Sequence, residues 1–247
     1  MSDRRSGGRE QVVYGVNAAL AVAVHRPESI LRAFYTQGRR KAVGALLKAT
    51  AAQRRPYREV GDEELARIAR TQHHEGVVVV TTPLKPVDLP ALVQAMGPSG
   101  VIMALDGVDN PHNIGAILRS AAWFGAGGLL IADATERKTL PSAALRIAQG
   151  GAETVPCALT TDLPGALAQI KDHGVRIFGA DARATMKVPG AAVPKPVCLV
   201  MGHEGRGLSR AVKAQCDQMI SIPGTGQIES LNVAVAAGIL FSAALTA

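Results

Sequence analysis

From Val101 to Leu245 apolar strand patterns alternate with helical ones, and that alternation admits few architectures. Strands read at 101–105, 128–132, 154–158, 175–180, 197–201 and 218–222. Helices read at 114–124, 142–149, 163–172, 207–216 and 231–245. Helix–strand alternation of this kind builds a mainly parallel sheet covered on both faces, an α/β fold. In such sheets a ligand sits beyond the carboxyl ends of the strands, near the point where the strand order reverses.

Polar loops follow three of these strands. Asp109-Asn-Pro-His-Asn-Ile-Gly-Ala-Ile-Leu-Arg119 comes after Val101–Leu105. The helix opening near Ile114 would bury Ile114, Ile117, Leu118, Ala121 and Phe124, a stripe of 3.6-residue period, and Gly125 would end it. Arg119 lies off that stripe, one turn beyond Gly115. Helical side chains lean toward the N-terminus, so Arg119 is expected to reach back over Gly115 toward the loop. Gly202-His-Glu-Gly-Arg-Gly-Leu208 follows Val197–Met201. Its glycines permit positive φ and close approach of the backbone to a ligand, and Glu204 is a residue no plain turn requires. It is neither a dinucleotide fingerprint nor a P-loop. Ile222-Pro-Gly-Thr-Gly-Gln-Ile-Glu-Ser-Leu-Asn232 joins the last strand to the last helix. Ser230 reads as the N-cap. Asn232, in the first turn of an apolar helix, needs polar partners.

Before this stretch lies a smaller α/β unit, residues 12–82, after an arm at 1–11 expected to be disordered. Helical patterns cover 17–24, 41–52 and 63–69, the last capped by Asp62; strands cover 30–35, 57–60 and 76–81. Residues 83–98 read as a linker: three prolines between Thr82 and Pro90 prevent regular structure there, and a short helix is expected at 91–95. Residues 99–247 form the second unit. The adjacent His73 and His74 make a weak metal pair, since neighbours on a regular element do not face one another.

Apolar residues make up 47% of the chain and aromatic ones 3%, so the core is aliphatic. So few aromatics argue against a stacking platform for single-stranded bases. Of the net +7 charge, residues 1–90 carry 15 Lys/Arg against 9 Asp/Glu, a surplus of 6. A basic surface of that size favours a polyanionic partner. Cys157, Cys198 and Cys216 have no metal-ligand or disulfide spacing. No signal peptide or membrane span is read, so the expected setting is the cytoplasm.

Taken together, the three loops resemble the SPOUT-class RNA ribose 2′-O-methyltransferases of the SpoU/TrmH family. Asn113 and Arg119 match the first motif. Gly202, Glu204, Gly205 and Gly207 match the second, and Ser230-Leu-Asn-Val233 the third. Tyr14-Gly-Val-Asn-Ala18 and His74-Glu-Gly-Val77 resemble the family's substrate-binding domain, related to the ribosomal-protein L30e-like fold. Ala234 and Glu75 depart from the Ser and Gln commonly found at those places. The resemblance implies a SPOUT-type parallel sheet with a C-terminal trefoil knot, S-adenosyl-L-methionine as cofactor, and a homodimer. Trp123 and Phe124 are expected near the dimer contact.

It further implies that Gly202, Ile222 and Leu231 hold the donor's adenosine part, and that Arg119 is the principal catalytic residue. Asn113, Glu204, Ser230 and Asn232 orient Arg119 and the nucleotide. A guanidinium keeps its proton too tightly to be a base; Arg119 is better read as a phosphate clamp and stabiliser of the developing alkoxide. The substrate is tRNA or rRNA; neither DNA nor a membrane is an expected partner, and no metal is required. Two other classes remain open: an inactive RNA-binding protein that keeps the fold, and a methyltransferase acting on a base or a small molecule.

Overall fold

The computed structural model describes residues 10–133, 135, 138–188 and 193–246. Most of the arm expected at 1–11 lies outside the described residues. The chain divides into two compact units. The first joins the residues up to Lys85 with Thr139–Thr154; the second holds Pro86–Lys138 and Val155–Ala247.

In the first unit the elements are β1 (Gln11–Tyr14), α1 (Val16–His25), β2 (Ile30–Tyr35), α2 (Gly44–Ala52), β3 (Tyr57–Glu59), α3 (Asp62–Ala69) and β4 (Val77–Thr81). The sheet order is β1-β4-β2-β3, antiparallel except for the parallel β2–β3 pair. β4 is central and buried along its whole length, as its run of four valines requires. β1 is an added strand. Asp62 is the first residue of α3, after Gly61, rather than its cap. With Glu63 and Glu64 it still places acid at the positive end of the helix. His74 is buried, and its Nδ1 accepts the Gly76 N–H at 3.1 Å, so it fixes a turn.

Residues 139–154 are the main departure from sequence order. They read as part of the second unit, yet α6 (Ser142–Ile147) and the turn after it pack with the first. Specific polar contacts hold them. Gln11 Nε2 donates to the Leu140 carbonyl at 2.9 Å. Arg26 forms an ion pair with Glu153 in which both side chains are almost fully buried. Glu75 uses both carboxylate oxygens: one accepts the Val16 N–H at 3.1 Å, the other Arg146 Nη2 at 3.0 Å. Gly15 supplies no side-chain cap for α1, so the Glu75 carboxylate does that work at the helix N-terminus. A Cβ at Gly15, where φ is +94°, would press on Arg146 and Glu75.

The second unit runs α4 (Leu89–Met96), β5 (Val101–Asp106), α5 (Pro111–Phe124), β6 (Gly128–Ala132), β7 (Cys157–Thr160), α7 (Leu163–Asp172), β8 (Arg176–Ala180), β9 (Met186–Lys187), β10 (Val197–Gly202), α8 (Arg210–Gln215), β11 (Gln218–Ser221) and α9 (Val233–Leu245). All seven strands are parallel, in the order β7-β6-β5-β10-β8-β11-β9. The strand expected at 154–158 starts later, because Gly151–Glu153 forms a 3₁₀ turn and Pro156 follows. β5 and β10 are fully buried except at their last residues. The order reverses between them: the chain leaves β5 toward β6 and β7 on one side, and β8, β11 and β9 lie on the other. None of the described helices is long and apolar enough to cross a membrane.

Candidate active site at the carboxyl ends of β5, β10 and β11

Gly202 pairs with Asp106 at the ends of β10 and β5, so two of the polar loops leave the sheet side by side at the reversal. The first enters α5 earlier than its hydrophobic stripe indicates. Asn110 is the N-cap, its side-chain oxygen accepting the His112 N–H at 2.9 Å, and Pro111 takes the first helical position. Asn113 therefore stands in the first turn of α5, beside the strand ends. Gly125, at φ +72°, closes the helix.

The second loop folds back on itself. The Gly207 N–H donates to the His203 carbonyl at 2.8 Å, and the Gly205 N–H to His203 Nδ1 at 3.0 Å. A Cβ on Gly202 would come within 2.3–2.6 Å of the backbone of Gly207 and Leu208. Loop closure itself thus excludes any side chain at Gly202; the close approach is to the chain's own backbone. The turn presents Glu204 to solvent. Asp106 anchors the far end of the loop by accepting the Ser209 N–H at 2.7 Å. Sequence reasoning overlooked Asp106; a carboxylate ending an otherwise apolar strand was the available signal.

The third loop ends at Asn232, which caps α9, so the helix starts at Val233 and Ser230 is not its cap. Asn232 Oδ1 accepts from the Ala234 and Val235 N–H groups at 3.0 and 3.4 Å. This orientation turns Nδ2 outward. It donates to Glu204 Oε1 at 2.9 Å and to Asn113 Oδ1 at 3.1 Å. Asn113 Nδ2 in turn donates to the same Glu204 Oε1 at 2.8 Å. One residue from each loop thus enters a closed triangle of hydrogen bonds.

Arg119 and Ser230 are not part of that triangle. Arg119 is exposed, six residues or roughly 9 Å along α5 from Asn113, and makes no hydrogen bond or ion pair to a described residue. Ser230 is exposed. Ile222 is half-buried just past β11, and Leu231 is 40% exposed beside the triangle. From residue 222 to 231 no backbone N–H or C=O bonds to another described backbone group. Peptide groups without backbone partners, flanked by the exposed side chains of Ile228 and Leu231, fit an adenosine group, which needs apolar plates and peptide hydrogen bonds. No thiol is poised as a nucleophile. Burial pushes Cys157 up to about 12, Cys216 up to about 11, and Cys198 higher still.

Comparison with known proteins accounts for this geometry. The model of the SpoU rRNA Methylase family matches residues 100–242. The chain belongs to that family. Residues 12–87 match a second model, RNA 2′-O ribose methyltransferase substrate binding. The 23S rRNA (guanosine-2′-O-)-methyltransferase RlmB of Haemophilus influenzae is 33% identical over 231 residues, 92% of this chain and 94% of its own. The protein of the same name from Ralstonia nicotianae is 34% identical, covering 95% of both chains. Among solved structures, the SpoU methyltransferase AviRb from Streptomyces viridochromogenes, determined with AdoMet, superposes with a TM-score of 0.79. It covers 96% of this chain and 90% of its own, at 23% identity, a likeness of fold. In this SpoU chain two motifs leave the sheet at its reversal point, and the third, two strands away after β11, meets them through Asn232.

Because Asn232 is both cap and hydrogen-bond donor, its loss should differ from that of its partner. Asn232→Ala is expected to cost about 1 kcal/mol, lowering the melting temperature by about 2–4 °C. Glu204→Ala, at an exposed site and no cap, should leave it nearly unchanged. Calorimetric melts of the two variants check this; equal losses would mean that the triangle, not the cap, stabilises α9.

Proposed function

We propose that the protein transfers a methyl group from S-adenosyl-L-methionine to the 2′-hydroxyl of a ribose in RNA. The observation that carries this reading is the Asn113–Glu204–Asn232 triangle, built from one residue of each SpoU motif. The two near full-length relatives named for 23S rRNA support rRNA as the substrate class, ahead of tRNA.

When bound, S-adenosylmethionine supplies an electrophilic methyl on a sulfonium. The protein's task is to hold the ribose oxygen in line with it and accommodate the hydroxyl proton. Peptide groups of Gly202, Ile222 and Leu231 would hold the adenosine part. The triangle fixes the ends of the three loops relative to one another through Glu204 Oε1, while Oε2 makes no hydrogen bond to a described residue. Arg119 carries five donors and has no partner among the described residues, which suits it to clamp a substrate phosphate and stabilise charge growing on the ribose oxygen. The proton passes to a neighbouring group or water. Ser230 orients the nucleotide. A trefoil knot around the donor loops and a cytoplasmic setting belong to the same reading.

A homodimer belongs to it as well. Trp123 on α5 and Val235 on α9 are 84% and 53% exposed, on two helices that pack on each other. A second copy covering these faces would remove a large apolar surface from water. Sedimentation at low micromolar concentration should show one species of twice the chain mass; a monomer that still methylates RNA would refute the dimer.

Arg119→Ala should slow methyl transfer to rRNA by roughly 10²–10³, while calorimetry with S-adenosylhomocysteine gives near wild-type affinity. Arg119→Lys should restore little, because an ammonium cannot reproduce the planar fork. A fully active Arg119→Ala would remove Arg119 from the mechanism.

A further inference from the structure

The positive charge of the first unit is confined to one segment. Residues 37–60 hold seven Lys/Arg and one acid, Glu59, a surplus of 6. The rest of residues 1–90 holds eight of each sign, so this segment accounts for the whole surplus. All seven cations are exposed. Arg39, Arg40 and Lys41 lead from β2 into α2, Lys48 lies on α2, and Arg54, Arg55 and Arg58 follow it.

The fold gathers the two ends of this segment at β3. Arg40 pairs with Glu59 at 3.9 Å, which places the first cluster beside the end of the strand. At the other end α2 closes on Arg54, held at φ +54°, a left-handed conformation unusual for a residue other than glycine, asparagine or aspartate. The Arg54 and Arg55 N–H groups bond back to Ala51 and Thr50, at 2.8 and 3.0 Å. The Pro56 carbonyl then accepts the Ala33 N–H at 3.1 Å, and β3 begins. This tight link puts two arginines just ahead of Tyr57, with only Pro56 between.

β3 is the edge of its sheet. Tyr57 pairs in register with Ala33. Tyr57 is 45% exposed, against 7% for Tyr14 and 3% for Tyr35. Beside it, Arg58 is already committed, paired with Glu64 and lying over the Phe34 ring at 5.9 Å. Arg54 and Arg55 form no ion pair with any described residue.

Two arginines with no ion-pair partner among the described residues, next to a bare aromatic ring at the start of the strand, call for a partner offering both phosphate and a planar face. A duplex keeps its bases stacked inside and would use the cations alone. An acidic peptide offers no base to stack. Resting on the RNA methyltransferase reading, we infer that the β3 edge takes an unpaired nucleotide of the substrate RNA: Tyr57 stacks on its base, and Arg54 and Arg55 hold the flanking phosphates. Composition argued against such a platform, but one exposed ring placed among arginines suffices.

The test is fluorescence anisotropy on the full chain with two probes: a short unstructured RNA, and the duplex it forms with its complement. Tyr57→Ala should weaken single-strand binding about tenfold and leave duplex binding unchanged, whereas Tyr57→Phe should bind like wild type. Arg54→Ala with Arg55→Ala should weaken both and reduce the single-strand slope of log K against log salt by about 1.4. Arg32→Ala, a cation of the same unit paired with Glu10, is the control and should change neither. If Tyr57→Ala binds the single strand like wild type, or weakens both probes equally, the stacking site is refuted. Methyl transfer to rRNA by the wild-type protein separates the two levels. No transfer would undo the functional reading; transfer with an indifferent Tyr57 would undo only this assignment.

Discussion

Everything at the candidate site depends on the orientation of one amide. The oxygen of Asn232 is taken by the first N–H groups of α9, so its nitrogen has no choice but to face the other two loops. Reversing the amide would aim its NH₂ at helix donors and leave Glu204 facing an oxygen. The cap thereby sets the direction of the whole triangle. Helix formation, driven by burial of Val233, Ala237, Leu240, Phe241 and Ala244, orders loops that would otherwise be held only by exposed hydrogen bonds of modest worth.

A division of labour runs through the molecule. The second unit is close to electrically neutral and carries the triangle. The first unit carries the charge, and within it a single segment carries nearly all of it. Residues 139–154 complicate this picture, because the chain leaves the second unit at Lys138, packs in the first, and returns at Val155. Glu75 sits where relatives of this resemblance commonly have glutamine. Its carboxylate offers two acceptors where an amide offers one, and both are used, for Val16 and Arg146.

Much of this was legible in the residues, and the failures have physical causes. The parallel sheet and nearly all its strands followed from apolar runs separated by helical periods. The α5 start was missed although Asn110-Pro111 announces it, because the hydrophobic stripe begins only at Ile114. Ser230 and Asn232 are both good caps by type. What chose between them is geometry that local sequence does not carry: Asn232 finds partners 119 and 28 residues away. The placement of residues 139–154 rests on contacts with Gln11, Arg26 and Glu75, far off in the chain. For Arg119 the sequence offers its motif match and its place off the apolar stripe, one turn beyond Gly115. Among the described residues it makes no hydrogen bond or ion pair.

The central claim is that the transferred methyl goes to a ribose oxygen, and alkali distinguishes that atom from any other. Alkaline cleavage of RNA uses the 2′-hydroxyl as nucleophile, so a 2′-O-methyl group protects the adjoining phosphodiester. The measurement is to incubate the purified protein with methyl-labelled S-adenosylmethionine and unmodified rRNA, hydrolyse the RNA fully in alkali, and separate the products. The account predicts label in alkali-resistant dinucleotides. Label in mononucleotides would place the methyl on a base, and that result would contradict it.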